Sequence, residues 1–332
     1  MIACSVILPV WNAEKTVVRA AESILAQSFG DLELVIVDDG STDASRDALE
    51  TLAASDKRVN LISFEERQGV VMASNFALAH ATGEFVARMD ADDVAHPDKL
   101  KKQIALMRER PELDVASCGV RVEGCTEGFQ RYIDWSNGLV QSGQIARERF
   151  IESPVVNPTA LFRGEILRAF GGYRDVEWAE DYDLYLMLLD AGMAIAKVPE
   201  ILFDWNDGES RLTRTDGRYS QDNFLRAKAH FLGRMPTVRK HGALICGAGP
   251  IGKRIGRFLR DNEGVNVHSF FEVNPRRIGK TIGGIPVLAQ EEMKRDEAVL
   301  LSAVGLEGAR DLIRGLASDA RYEEGVNFFC VC

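Results

Sequence analysis

No apolar run in this sequence reaches the roughly 18 residues that a membrane-crossing helix needs, and no basic stretch precedes the first apolar residues, Ile2 to Pro9. Neither a membrane span nor a secretory leader is expected. Positive charge is in deficit too, with 40 Lys and Arg against 50 Asp and Glu and a net charge of -10. Nucleic acid and anionic membrane surfaces reward a basic face, so neither is expected as the main partner. Cysteine is scattered, at Cys4, Cys118, Cys125, Cys246, Cys330 and Cys332, and the one close pair has no second pair with which to complete a zinc site. That usage fits a reducing compartment, the cytoplasm. What is present, 332 residues at 46% hydrophobic and 27% charged, suffices for two globular domains with separate cores.

Up to about residue 120, short apolar segments alternate with amphipathic ones, the βαβ pattern that builds a parallel sheet. Strands are expected at 5–9, 32–38, 59–63 and 85–90, and helices near 14–27, 43–53, 70–79 and 97–109. Open α/β sheets bind ligands beyond the carboxyl ends of their strands, so Trp11, Asn12, Asp38, Asp39 and Asp90 to Asp93 should converge on one cleft. From about 120 to 232 the pattern is less regular and reads as mixed structure, with helices at 164–170 and 181–190 and a strand at 200–204.

The run Asp90-Ala91-Asp92-Asp93 carries three carboxylates in four residues. Unit charges about 4 Å apart at an effective dielectric of about 20 repel by roughly 4 kcal/mol, so such a cluster takes up protons or holds a cation. Alone, it could equally be an acidic turn ahead of the helix near Pro97. Trp11 either stacks on a planar base or sits at the edge of the core. In Asp38-Asp39-Gly40-Ser41-Thr42-Asp43, helix capping accounts for Ser41 or Thr42. It does not account for two carboxylates at the end of a buried strand, where ionised oxygens need donors. Glu180 and Asp181, on their own, read as first-turn acids that complement a helix dipole. The segment 208–215, with Arg211 and Thr213, supplies cations and hydroxyls for a phosphate or is a solvated basic loop.

Taken together and in order, Val6-Ile7-Leu8-Pro9-Val10-Trp11-Asn12-Ala13-Glu14, Val37 to Asp43, Gly69 with Asn75, Gly83 to Asp93, and Trp178-Ala179-Glu180-Asp181 resemble family 2 glycosyltransferases over residues 3–232. The resemblance implies an α/β fold of the GT-A type, the nucleotide-diphospho-sugar transferase fold. It places nucleotide contacts on Pro9, Trp11, Asn12, Glu14 and Asp39. It puts an Asp-x-Asp motif on Asp90 and Asp92, with Asp92 as ligand to Mg²⁺ or Mn²⁺ and Asp90 supporting the nucleotide. Its general base falls on Asp181, beside Glu180, and a loop over the diphosphate falls on Arg211 and Thr213. A nucleotide-sugar donor, with a UDP-sugar favoured, a sugar or lipid-linked acceptor, and inversion at the anomeric carbon are further implications.

After a linker at 233–241, residues 242–332 begin a second pattern. A strand at 243–246 leads into Gly247-Ala248-Gly249-Pro250-Ile251-Gly252, the full G-x-G-x-x-G, and a second strand ends at Glu272, 20 residues after Gly252. A small Rossmann-like α/β domain is expected, with Gly247, Gly249, Gly252 and Glu272 facing a nucleotide. The run from Phe270 to Leu288 resembles the amino-terminal domain of bacterial sugar acyltransferases. Sensing of a nucleotide or nucleotide-sugar, homo-oligomer assembly or docking, and a cofactor-binding remnant all stay open for it, as does the reading that its glycines merely permit tight helix–strand packing. The expected activity is metal-dependent glycosyl transfer in polysaccharide or glycoconjugate synthesis. A non-catalytic nucleotide-sugar binding protein and a nucleotidyltransferase are the alternatives.

Overall fold

The computed structural model describes residues 2–122, 125–206, 212–306 and 308–332, and the chain divides into two compact units. The first comprises 1–145, 154–176 and 183–211, and the second 146–153, 177–182 and 212–332.

The first unit is built on strands β1 (Cys4–Val10), β2 (Leu32–Asp38), β3 (Val59–Ser63), β4 (Phe85–Arg88), β5 (Val94–Ala95), β6 (Val115–Arg121), β7 (Leu161–Arg163) and β8 (Ile195–Asp204), in the order β3-β2-β1-β4-β7-β6-β8-β5. β1 to β4 are parallel, as the βαβ pattern predicts, whereas β7 runs antiparallel to both β4 and β6. Val6, Leu8, Ile36, Phe85 and Ala87 are fully buried on these central strands. The helix Val17–Leu25 covers them with Val17, Ala20, Ala21 and Ile24, an i, i+3, i+4, i+7 stripe on one face. Burial of each larger side chain stabilises the fold by about 1.5–3 kcal/mol. Pro9 is tolerated in this central strand for a specific reason. The carbonyl of Ile7 accepts from Met89 on the β4 side, and Pro9, two residues on, faces the same side beyond the point where β4 has stopped pairing.

The second unit carries β9 (Ala243–Cys246), β10 (Val267–Glu272), β11 (Thr281–Ile282), β12 (Ile285–Ala289), β13 (Val299–Ser302) and β14 (Phe328–Cys330), ordered β11-β12-β10-β9-β13-β14. All neighbours are parallel except the short edge pair β11 and β12. The helix Pro250–Asp261 packs on this sheet so closely that a Cβ on Gly256 would meet Ile245 and Phe270 at 3.0 Å. The segment 146–153 belongs here: the Phe150 ring meets Phe329 at 5.5 Å, and the buried Lys228 ammonium donates to the carbonyls of Ile151 and Val331. No helix among the described residues is long and apolar enough to cross a membrane.

Candidate active site

The acidic run lies directly beyond β4. Arg88, buried at the strand's end, donates from Nε to Asp90 Oδ1 at 2.8 Å and from its terminal nitrogen to Ser74 Oγ at 2.5 Å. Its guanidinium also lies 5.6 Å from the centre of the Tyr173 ring. Tyr173 is fixed in turn, because Asn75 exchanges two hydrogen bonds with its backbone and its hydroxyl donates to Asn157 Oδ1. Gly172, at φ 72°, leaves room for that exchange, since a Cβ there would lie 2.3 Å from Asn75 Oδ1. Asn75 therefore serves the turn that supports the site. Asp92 is half-buried, and its carbonyl accepts from Arg19. Asp93 is buried, and its Oδ1 accepts from the backbone N–H of Asn206 at 2.8 Å. Beneath the run lies the fully buried Lys99. Burial pulls its amino group below the usual lysine value, a shift opposed by Cys118, Cys4, Asp90 and Asp93.

Among the described residues no three His, Cys, Asp or Glu side chains converge on a point that could hold a metal ion. The donors on offer are hard carboxylate oxygens, and Arg88 engages one of them. That set fits Mg²⁺ or Mn²⁺ arriving with a diphosphate that completes the shell, and does not form a cage of its own.

The other expected nucleotide contacts are grouped at the ends of β1 and β2. Trp11 is 41% exposed and carries the Arg67 guanidinium 3.6 Å from its ring centre, a cation on the platform expected for a base. Asn12, at φ 48°, and Glu14 turn toward the next loop: Asn12 Oδ1 accepts from the Thr42 N–H, and Glu14 Oε2 from the Ala44 N–H. Ser41 accepts from Asn12 and does not cap the helix Ser45–Ser55, whose first N–H goes to Asp43. Asp39 is buried, and its two oxygens accept from the N–H groups of Gln68 and Gly69 at 2.6 and 2.9 Å. Asp38 holds Arg46. Gly40, at φ 67°, abuts the backbone of Glu66 and Arg67, which brings Arg67 over Trp11. Arg67 has no clear sequence signal, but Arg88, a charge inside an apolar strand, could have been singled out.

Glu180 and Asp181 open the helix Glu180–Asp190. Glu180 is buried and accepts from the Tyr219 hydroxyl at 2.9 and 2.8 Å, while Asp181 is half-buried and accepts from the Tyr182 N–H. Burial, followed by the charges of Glu180 and Asp181, raises the Tyr219 hydroxyl well above its ordinary value, so it stays a proton donor. Tyr219 was not foreseen. Arg211 and the side chain of Thr213 lie outside the described residues.

In the second unit the three glycines have different surroundings. Gly247 turns at φ 102°, nothing lies within 4 Å of a Cβ built on Gly249, and one on Gly252 would fall 1.9 Å from the Gly247 carbonyl oxygen. Tight turn, open backbone and close helix packing are the three roles that a dinucleotide fingerprint gives its glycines. Glu272 is committed locally: it accepts from the N–H groups of Val273 and Asn274 and from Arg277 at 2.8 Å. Burial raises its carboxyl, but these donors outweigh that and hold it below the ordinary value.

Residues 5–171, half of the chain, match the family model "Glycosyl transferase family 2", and residues 238–330 match "CoA binding domain". "Putative glycosyltransferase EpsE" of Bacillus subtilis is 31% identical over 67% of this chain and 79% of its own length. The amylovoran biosynthesis glycosyltransferase AmsE of Erwinia amylovora is 29% identical over 70% of this chain and 92% of that protein. Staphylococcus aureus TarS 1-349, solved with UDP-GlcNAc, superposes with a TM-score of 0.57 at 20% identity, covering 79% of this chain and 73% of that one. This likeness supports the GT-A fold. The chain belongs to glycosyl transferase family 2 and is a nucleotide-sugar-dependent glycosyltransferase.

Proposed function

We propose that this enzyme moves a sugar from a nucleoside-diphosphate donor, a UDP-sugar by preference, to a hydroxyl of a sugar or lipid-linked acceptor, with inversion and with Mg²⁺ or Mn²⁺. The observation that carries the reading is the Asp90 to Asp92 run beyond β4, where Arg88 fixes Asp90 and Asp92 is left half-buried. Asp92 would hold the ion, which offsets negative charge on the diphosphate leaving group. Trp11 and Arg67 offer flat faces for the base. Asp181 takes the proton of the acceptor hydroxyl, and the Tyr219 hydroxyl keeps its neighbour Glu180 oriented. UDP-GlcNAc in TarS, and GDP-Man with Mn²⁺ in the mannosyltransferase PcManGT of Pyrobaculum calidifontis, support the donor class and the metal. AmsE supports a place in polysaccharide biosynthesis. The six free cysteines support a cytoplasmic setting.

The proposed catalytic domain is 1–232 and the Rossmann-like domain 242–332. For the latter we propose a nucleotide-containing ligand at Gly247, Gly249 and Gly252, supported by the open space at Gly249 and by the match to a CoA binding domain. Exposed Leu306 and Leu312 support self-association through the same domain.

Calorimetry with UDP and Mn²⁺ tests the metal assignment. Asp92→Ala should weaken metal-dependent binding about tenfold or more, by loss of one charged ligand. Unchanged affinity and metal dependence would remove Asp92 from the site.

A further inference from the structure

The acid pair Glu180–Asp181 belongs to the same compact unit as the Rossmann-like sheet. The segment 177–182 is held at four points by residues 217–234. Glu177 pairs with Arg226 at 3.3 Å, the Trp178 ring lies 5.3 Å from His230, Glu180 accepts from Tyr219, and the Tyr182 ring stacks on Phe224 at 5.2 Å. Tyr219 ends a short turn, Gly217–Tyr219, that is tied to the following helix, Gln221–Arg234, because Asn223 donates to the Gly217 carbonyl. The first turn of that helix is in turn gripped by one side chain of the helix Pro250–Asp261: Arg254 donates to Asp222 Oδ1 and to Gln221 Oε1, both at 2.7 Å. Arg254 also bonds back to the Pro250 carbonyl, at the helix start beside Gly249.

We propose that Arg254 is a positioning residue for the acid pair, acting through Gln221, Asp222 and Tyr219 to fix Glu180 and, with it, Asp181. The claim rests on the glycosyl-transfer reading for what the acid pair does, and on the contacts alone for where the pair is held. A planar guanidinium suits the task because its fork reaches two different acceptors at once in a fixed geometry, which a single ammonium does not. Arg254 and Asp222 are partly exposed, and such pairs contribute little to overall stability. The effect therefore falls on geometry at the acid pair and not on folding. Contact between elements is not by itself coupling, so the evidence must come from a change at one end read at the other. The helix Pro250–Asp261 is then tied, through residues 217–234, to the segment that carries the acid pair.

The test compares full-length wild type, Arg254→Ala and Arg254→Lys. Turnover is read as diphosphate release from whichever UDP- or GDP-sugar in a panel the wild type uses, with water or a sugar as acceptor. Arg254→Ala should lower kcat about tenfold, with donor KM within about twofold, because misplacement of a catalytic group costs rate and not donor binding. Arg254→Lys should recover part of that loss. Amide hydrogen exchange in 177–182 and 217–222 should quicken about tenfold in Arg254→Ala, while 243–246 stays protected. Unchanged kcat and unchanged exchange in 177–182 would overturn the proposal, as would equal quickening across 243–246, which marks a loosened domain. If the wild type releases no diphosphate from any donor, the glycosyl-transfer reading fails, and the exchange result still decides the positioning claim.

Discussion

Arg88 Nε donates to Asp90 Oδ1 at 2.8 Å from a guanidinium that is almost wholly buried, so the first aspartate of the acidic run is held by the protein's own cation. The second, Asp92, is half-buried, and its backbone carbonyl accepts from Arg19. Removing one partner of a buried charge pair costs about 3–5 kcal/mol, and less where one partner keeps some water contact, as Asp90 does. Arg88→Leu should therefore lower the urea midpoint and weaken UDP binding. Arg88→Lys should restore most of the stability and only part of the binding. A variant with wild-type midpoint and UDP affinity would contradict this role.

The three glycines of the second unit should respond differently to alanine. Gly249→Ala meets open space at an ordinary φ of -78° and should change stability by no more than about 0.5 kcal/mol. It should nevertheless reduce binding of NAD, NADP or CoA, whichever the full-length protein takes up in calorimetry. Gly252→Ala places its methyl on the Gly247 carbonyl and should be strongly destabilised in thermal unfolding. Equal melting temperatures for the two variants would rule out the geometry described.

Lys197 makes a pH prediction. It is buried, donates to Ser136 O and Oγ, and burial pushes its amino group down to about 7, with Cys118 opposing. An unfolded lysine titrates near 10.4, so between about pH 7 and 10 the unfolded chain binds a proton that the folded chain does not. Stability contributed by this site therefore rises with pH through that window and is flat below it. Urea unfolding at pH 7 and pH 9 should show wild type gaining on Lys197→Met as pH rises. A constant difference between the two would show that Lys197 keeps its proton in the fold.

Much of this fold could be read in the sequence where local pattern and tertiary placement agree. β2, β3 and β9 stand at their expected limits, and for β2 and β9 the reason is that largely apolar runs between turns mark buried parallel strands. The first helix was expected from Glu14 but starts at Val17, because Asn12 to Glu14 are drawn into bonds with the 41–45 turn. β4 was expected to reach Asp90 and ends at Arg88. The antiparallel insertion of β7, three residues long between β4 and β6, has no pattern of its own to read. Residue type singled out Asp39, Asp90, Asp92 and the Glu180–Asp181 pair as candidates. The partners that decide what these carboxylates do did not show. Backbone N–H groups at Gln68 and Gly69, and the Tyr219 hydroxyl 39 residues from Glu180, come together only through tertiary packing.

The central claim, catalysis of glycosyl transfer by this site, is tested most directly by diphosphate release from a panel of UDP- and GDP-sugars, with and without Mn²⁺, by wild type and Asp181→Asn. The expected result is metal-dependent release by wild type and loss of at least about 100-fold in Asp181→Asn, the scale of general-base catalysis. UDP binding by the variant should be nearly unchanged. Wild-type turnover by Asp181→Asn, or release that ignores the metal, would contradict the mechanism proposed for this enzyme.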